Sequence, residues 1–319
     1  MTNNLTEAIS VHEITKTFDL NVAVNNVSFT VPKGEVVGFL GPNGSGKTTT
    51  MRMLTSFYTP DKGDIYIEGI NNLTNDVETR NKIGYLPENN PLYGDMVVKD
   101  YLEFIAKIRN VNPSIIGTNI SKAVEETGLQ RVYYNQVNQC SKGYKQRVGL
   151  AAALLHEPSI LIMDEPTEGL DPNQRVPIRK LIRSLSTERT VLLSTHVLQE
   201  VEETCDRILI INKGKLVANG TIAELQNLSL EQKEVEIEIT GNQIEKELSK
   251  IETITHITKV SNSGEKEKFR IQYRGESDLR PVLFELCKTQ NWTLWELHQL
   301  VTSLQEMFYS LTLEQTESD

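Results

Sequence analysis

The chain has 319 residues, 38% hydrophobic and 24% charged, with a formal net charge of −10 at pH 7. Length and composition suggest two ordinary globular domains, and the acidity removes the bulk electrostatic case for nucleic-acid binding, so no nucleic-acid partner is expected. No run approaches the roughly 18 apolar residues of a membrane span, and Met1-Thr2-Asn3-Asn4-Leu5 lacks the basic and apolar segments of a secretory signal.

Residues 9–220 alternate short apolar runs with helical patterns. Val24–Val31 and Glu35–Leu40 read as buried strands. The second leads directly into Gly41-Pro42-Asn43-Gly44-Ser45-Gly46-Lys47-Thr48, which matches G-x-x-x-x-G-K-[ST]. Thr49-Thr50-Met51-Arg52-Met53-Leu54 can continue as a helix. In that context backbone N–H groups converge on nucleotide phosphates, and the helix N-terminus adds positive potential. Lys47 would neutralise the β- and γ-phosphate charge, and the Thr48 hydroxyl would ligate Mg²⁺. This run by itself points to a bound nucleotide without deciding the class of nucleotidase.

Helical patterns follow at Val97–Ile108, Ser121–Thr127 and Tyr144–His156. Ser141 is a good N-cap for the last of these, and Gly143 permits close backbone approach. Ile160–Met163 is an apolar strand ending in Asp164 and Glu165. Ligands bind at the carboxyl ends of strands in such sheets. Asp164 is therefore placed to reach Mg²⁺, and Glu165 to orient and deprotonate an attacking water. After a helix at Asn173–Leu185, the strand Thr190–Ser194 runs into His196, which can donate to a γ-phosphate. Helix Leu198–Thr204 and strand Arg207–Ile211 complete an α/β pattern with many parallel strands.

Residues 226–233 read as a polar linker between a first domain at 9–225 and an accessory α+β module at 234–319. In the module Glu234–Thr240 alternates with period two, as a half-buried strand does. A helix at Gln243–Ser249, a hairpin of Ile254–Val260 with Lys266–Tyr273, a helix at Asp278–Lys288, a strand at Thr293–Gln299 and a last helix at Ser303–Thr312 follow. That order is βαββαβ, the ferredoxin-like pattern with a tail helix. Trp292 and Trp295 are expected in its core. Cys140, Cys205 and Cys287 are isolated from one another, so neither a zinc knuckle nor a disulfide framework is suggested, and a reducing cytoplasm fits.

Gly41–Thr48, Ser141–Arg147, Asp164-Glu165-Pro166-Thr167, Gly169-Leu170-Asp171-Pro172 and His196 occur in the order and spacing of ABC transporter ATPases. The resemblance covers roughly residues 9–225. Gly84–Tyr93 and Ser141–Tyr144 resemble the branch that exports drugs, antibiotics and polysaccharides, and within it the gliding-motility-associated ATP-binding subunits. The resemblance implies a P-loop NTPase fold of the ABC type, a mixed sheet core with a helical subdomain at about 90–158. It also implies a two-chain ATP sandwich. The Gly41–Thr49 loop of one protomer would hold the phosphates, Ser141 and Gly143 of the partner would close over the γ-phosphate, and Phe18 would stack on adenine. Asp171 would contact the opposite protomer. Every required piece is present in one chain, so a homodimer with two competent sites is expected. Three departures stand out: Glu88 where the family usually has Gln, Cys140 where it has Leu, and Lys142 and Tyr144 where it has Gly and Gln. Glu88 remains able to meet Mg²⁺ or the water.

The resembling family receives a cytoplasmic helix of a polytopic membrane permease near residues 90–108. Helix-in-groove docking suits aromatic and methionine side chains, and Tyr93 and Met96 are the candidates. An ATP-hydrolysing exporter subunit, cytoplasmic and held at the inner face of the plasma membrane by that permease, is the leading expectation. The alternative is a soluble ABC-type ATPase acting on ribosomes or DNA. A GTP-binding switch would need N-K-x-D, and neither Asn81-Lys82 nor Asn212-Lys213 completes it.

Overall fold

The computed structural model describes residues 7–228, 233–263, 266–274, 277–300 and 308. The chain divides into two compact units, residues 1–222 and 223–319.

In the first unit, β1 (Glu7–Phe18) and β2 (Asn21–Pro32) form an antiparallel hairpin, joined by β4 (Lys62–Ile67) and β5 (Ile70–Asn71) in the order β2-β1-β4-β5. A second sheet has the order β10-β9-β3-β8-β7-β6. Its strands are β3 (Val36–Leu40), β6 (Ile83–Leu86), β7 (Ile160–Asp164), β8 (Thr190–Thr195), β9 (Arg207–Asn212) and β10 (Lys215–Thr221). All pair in parallel except β10, which is antiparallel to β9. Every residue of β3, β7 and β8 is buried, which is why their apolar residues run consecutively, as in Ile160–Met163 and Val191–Leu193, rather than alternating. The main core joins Ile9, Val11 and Ile14 of β1 and Ile65 and Ile67 of β4 to Phe39, Ile162, Leu192 and Leu209. Met51, Met53 and Leu54 of α1 (Lys47–Leu54) belong to the same cluster.

The remaining helices of this unit are α2 (Asp76–Lys82), α3 (Val98–Ile108), α4 (Ile116–Thr127), α5 (Lys142–Leu154), α6 (Pro172–Leu185) and α7 (Leu198–Thr204). Helix α5 packs against both α3 and α4, so these three form the helical part of the unit. Helix α4 starts five residues before the sequence-predicted Ser121, its first turn anchored by buried Ile120 and by Asn119 Nδ2 donating to Leu155 O at 2.9 Å. Helix α5 starts at Lys142 rather than Tyr144, since Ser141 is its cap. β1 and β4 escaped the sequence reading. Register breaks between Val11 and Ile14 interrupt the alternation of β1, and the first half of β4 carries Lys62, Gly63 and Asp64.

In the second unit, β11 (Lys233–Thr240), β12 (Ile254–Ser263), β13 (Lys266–Tyr273) and β14 (Thr293–Leu300) form a sheet of order β12-β13-β11-β14, all neighbours antiparallel. With α9 (Ile244–Leu248) and α10 (Arg280–Thr289), this is the ferredoxin-like topology that the βαββαβ order implies. Val235, Ile237 and Ile239 face Phe269, Ile271, Leu283 and Trp292 in its core. Trp295 does not join them. It is 52% exposed, its Nε1 donates to Thr240 Oγ1 at 3.0 Å, and Lys266 Nζ sits 3.8 Å over its ring. The physical cause is a register break in the β11–β14 pairing between Glu238 and Ile239, which turns Trp295 outward. The stretch 226–233 read as a linker is not plain coil. Helix α8 (Ile222–Leu228) extends into it, and Lys233 already belongs to β11. The last helix expected at Ser303–Thr312 lies, apart from Phe308, outside the described residues.

Candidate active site

Strand β3 ends at Leu40, and residues 41–46 turn back to start α1 at Lys47. Gly46 N-caps this helix at φ 108°, and its carbonyl accepts from Thr50 N at 2.9 Å. Gly41 N donates to Thr195 O at 3.3 Å, so the loop is tied to the end of β8 beside it. The parallel pairing of β3 with β8 and of β8 with β7 brings three strand ends together: the one before Gly41, the one at Asp164 and the one before His196.

A cavity of about 740 Å³ opens at these ends. Phe18, Asn43, Gly44, Gly46, Lys47, Thr48, Thr49, Glu88, Glu165 and His196 all line it. Phe18 is 38% exposed, packed edge-on against Tyr58 at 5.2 Å, with Lys16 Nζ 5.7 Å from its ring centroid. Asn21, Ala23, Glu168, Lys213 and Gly214 also line the cavity, and the sequence reading missed them. Asn21 and Ala23 come from the β1–β2 hairpin and Lys213 and Gly214 from the β9–β10 turn, which carry no phosphate-loop pattern, and Glu168 comes from the loop between β7 and α6.

Lys47 is buried and folded back on its own loop. Its Nζ donates to Gly41 O at 2.8 Å and Pro42 O at 3.2 Å, and lies 3.4 Å from Glu165 Oε1. The second Glu165 oxygen is 3.0 Å from His196 Nδ1. The base candidate thus sits between an ammonium and an imidazole. Its backbone is held at φ 47°, a left-handed conformation uncommon for a non-glycine residue, with its N–H donating to Ser194 O at 3.1 Å. Glu168 Oε2 lies 3.8 Å from the other His196 nitrogen.

Asp164 accepts from Ser194 Oγ and from Thr48 Oγ1, the latter at 3.3 Å, both on Oδ1. Its Oδ2 is buried without a hydrogen-bond partner. Burial holds the Asp164 carboxyl above its usual range and the Glu165 charge adds to that, against the two hydroxyl donors and Lys47. A hydroxyl oxygen beside a buried carboxylate with an unpaired oxygen is a hard-donor set, and it fits a Mg²⁺ ion that shares its shell with phosphate and water. Exposed Glu88 stands on the same cavity wall.

Ser141, Gly143 and Asp171 are not among the lining residues. Ser141 caps α5 by accepting from Tyr144 N at 3.4 Å, and Asp171 caps the start of α6 and accepts from Gln174 Nε2 at 3.2 Å. Lys142 Nζ lies over Gly169, so the start of α5 and the Gly169–Asp171 turn adjoin within one chain. A phosphate loop, an acidic strand end and a histidine strand end around one cavity define a P-loop nucleotidase.

A family model described as ABC transporter matches residues 24–168. The ABC transporter ATP-binding protein YhcH of Bacillus subtilis is 32% identical over 97% of both chains. The bacitracin transport ATP-binding protein BcrA of Bacillus licheniformis is 39% identical over 66% of this chain and 68% of its own. A solved dimeric bacterial ABC transporter cassette superposes with a TM-score of 0.60 and 26% identity, covering 67% of this chain and 98% of that one. The chain belongs to the ATP-binding subunits of ABC transporters and is an ATP-hydrolysing transport ATPase. The superposed cassette is itself described as a dimer. No helix among the described residues is long and apolar enough to cross a membrane.

Proposed function

We propose that this chain is the motor of an exporter, working as a homodimer that clamps ATP between the Gly41–Thr49 loop of one protomer and Ser141 and Gly143 of its partner. The observation that carries the reading is Glu165, held between Lys47 and His196 on the wall of the phosphate-loop cavity. Phe18 takes the adenine ring. Lys47 leaves its two carbonyls for the β- and γ-phosphates, which releases Glu165 Oε1 to accept a proton from water. His196 donates to the γ-phosphate and so reports its loss. Thr48 and Asp164 would hold Mg²⁺, with Glu88 beside them, and the ion would neutralise phosphate charge. Asp171, six residues beyond Glu165, contacts the opposite protomer and links the two sites.

Exposed Tyr93 packs edge-on against Phe104 at 5.6 Å, next to half-buried Met96. This aromatic surface is where a short helix of a polytopic permease docks, and docking places the subunit at the cytoplasmic face of the plasma membrane. Export as the direction is supported by relatives such as BcrA, named for bacitracin transport. The narrower assignment, to the gliding-motility-associated subunits, rests on the style of Gly84–Tyr93 and Ser141–Tyr144.

Replacing Glu165 by Gln tests the reading. ATP binding should persist, turnover should fall by about 10²–10⁴-fold, and the closed dimer should accumulate on size-exclusion chromatography with ATP. Turnover at the wild-type rate would refute Glu165 as the base.

A further inference from the structure

Glu200 lies in α7, four residues beyond His196, with only 3% of its surface exposed. A carboxylate so deeply buried is costly unless its oxygens are satisfied, and here they are. Thr167 Oγ1 donates to Oε1, Thr195 Oγ1 donates to Oε2 at 2.9 Å, and Arg175 Nη1 stands 3.8 Å from Oε1. Each partner lies next to a residue of the site. Thr167 is two residues past Glu165. Thr195 immediately precedes His196, and its carbonyl accepts from Gly41 N of the phosphate loop. Arg175 donates through Nε to Leu170 O at 3.0 Å, the carbonyl just before Asp171.

We propose that Glu200 is a positioning residue that fixes the Glu165 loop against the His196 strand end and, through Arg175, ties both to the turn carrying Asp171. The proposal rests on the reading of Glu165 and His196 given above. One carboxylate takes both threonine hydroxyls because each of its oxygens is an acceptor. A glutamine at the same place keeps the shape but offers one acceptor oxygen and an NH₂ group. Thr195 Oγ1 cannot turn to serve that NH₂ freely, since it already accepts from Val197 N at 3.1 Å. The Glu165 loop and the His196 strand end then lose their common anchor. A displacement of about 1 Å is enough to slow an in-line attack on phosphorus while leaving ATP seated on the phosphate loop.

The test uses the full-length chain and measures ATPase kcat and KM, affinity for a fluorescent ATP analogue, and thermal unfolding. Glu200→Gln should lower kcat about 10- to 100-fold, with ATP affinity within about threefold of wild type. Thr167→Val and Thr195→Val each remove one hydroxyl and should lower kcat less. Combined with Glu200→Gln, they should add almost nothing, because all three act through one connection. In a Glu165→Gln background, Glu200→Gln should leave the ATP-driven closed dimer intact. Wild-type kcat in Glu200→Gln, or fully additive losses with the threonine variants, overturns the proposal. Should Glu200→Gln fail to fold, the threonine variants decide, and normal kcat in both is the refuting result. Lost turnover in Glu165→Gln with normal turnover in Glu200→Gln overturns this proposal alone. Retained turnover in Glu165→Gln overturns both readings.

Discussion

Alanine at Gly46 and alanine at Gly44 should have different consequences, although both glycines belong to the same loop. Gly46 sits at φ 108°, and a Cβ built there comes within 2.5 Å of the backbone oxygen of Ala23. Gly44 sits at φ 78°, and its Cβ would meet nothing within 4 Å. Both substitutions place an L side chain in left-handed space, at about 1–2 kcal/mol. Only Gly46→Ala adds overpacking against a backbone atom that cannot rotate away, a further cost of about 1–3 kcal/mol. At roughly 2–4 °C per kcal/mol for a unit of this size, Gly46→Ala should lower the Tm by roughly 10 °C and Gly44→Ala by roughly 4 °C. Thermal unfolding by circular dichroism without nucleotide reads the difference, and titration with a fluorescent ATP analogue reads function. Relief of the clash shifts the first turn of α1, including Lys47, so Gly46→Ala should also lose more than about tenfold in ATP affinity. Equal Tm losses in the two variants would refute the steric argument.

His156 donates through Nε2 to Ile83 O at 3.0 Å, and burial with nearby Arg109 pushes its pKa down to about 4. The unfolded chain therefore binds a proton at this site that the folded chain rejects, and stability should fall as pH drops from about 6.5 to about 4, by about 2–3 kcal/mol. Urea titrations across that window should show a flatter pH dependence for His156→Gln, and an unchanged slope would count against it. Phe18→Ala should weaken ATP binding by roughly tenfold, as expected for one lost base-stacking partner worth about 1–2 kcal/mol, while Phe18→Trp preserves it. An equal loss in both variants would argue against a ring platform. Tyr93→Ala should leave the ATPase rate of the purified subunit unchanged while lowering recovery of a polytopic membrane protein from detergent extracts, and unchanged recovery would contradict docking there.

The legible parts of the chain were those with local causes. The apolar runs of β3, β7, β8 and β9 were readable because strands buried on both faces are apolar through their middles, with polar residues kept to their ends. The loop Gly41–Thr48, the acids Asp164 and Glu165, and His196 were readable because each closes such a run. In the second unit, period-two alternation in β11 made the opening strand of the ferredoxin-like order readable. β1 and β4 were not, since register breaks in β1 and the charges of Lys62 and Asp64 in β4 hide an alternation that depends on neighbours. Trp295 was misjudged because composition favours a buried tryptophan, whereas a register break fixes where it points.

By itself the sequence singled out the residues proposed to carry phosphate, carboxylate and imidazole chemistry, because glycine spacing and the ends of apolar runs are properties of contiguous chain. Only the tertiary structure decided what those residues touch. The order β9-β3-β8-β7 sets three distant strand ends around one cavity, leaves Asp164 Oδ2 unpaired beside Thr48, and suspends Glu165 between Lys47 and His196. It also buries Glu200 where two threonines 28 residues apart in sequence, Thr167 and Thr195, both donate to it. Hydrogen bonds of that kind depend on how strands are ordered in a sheet, and strand order follows from the packing of the whole chain rather than from any short stretch of it.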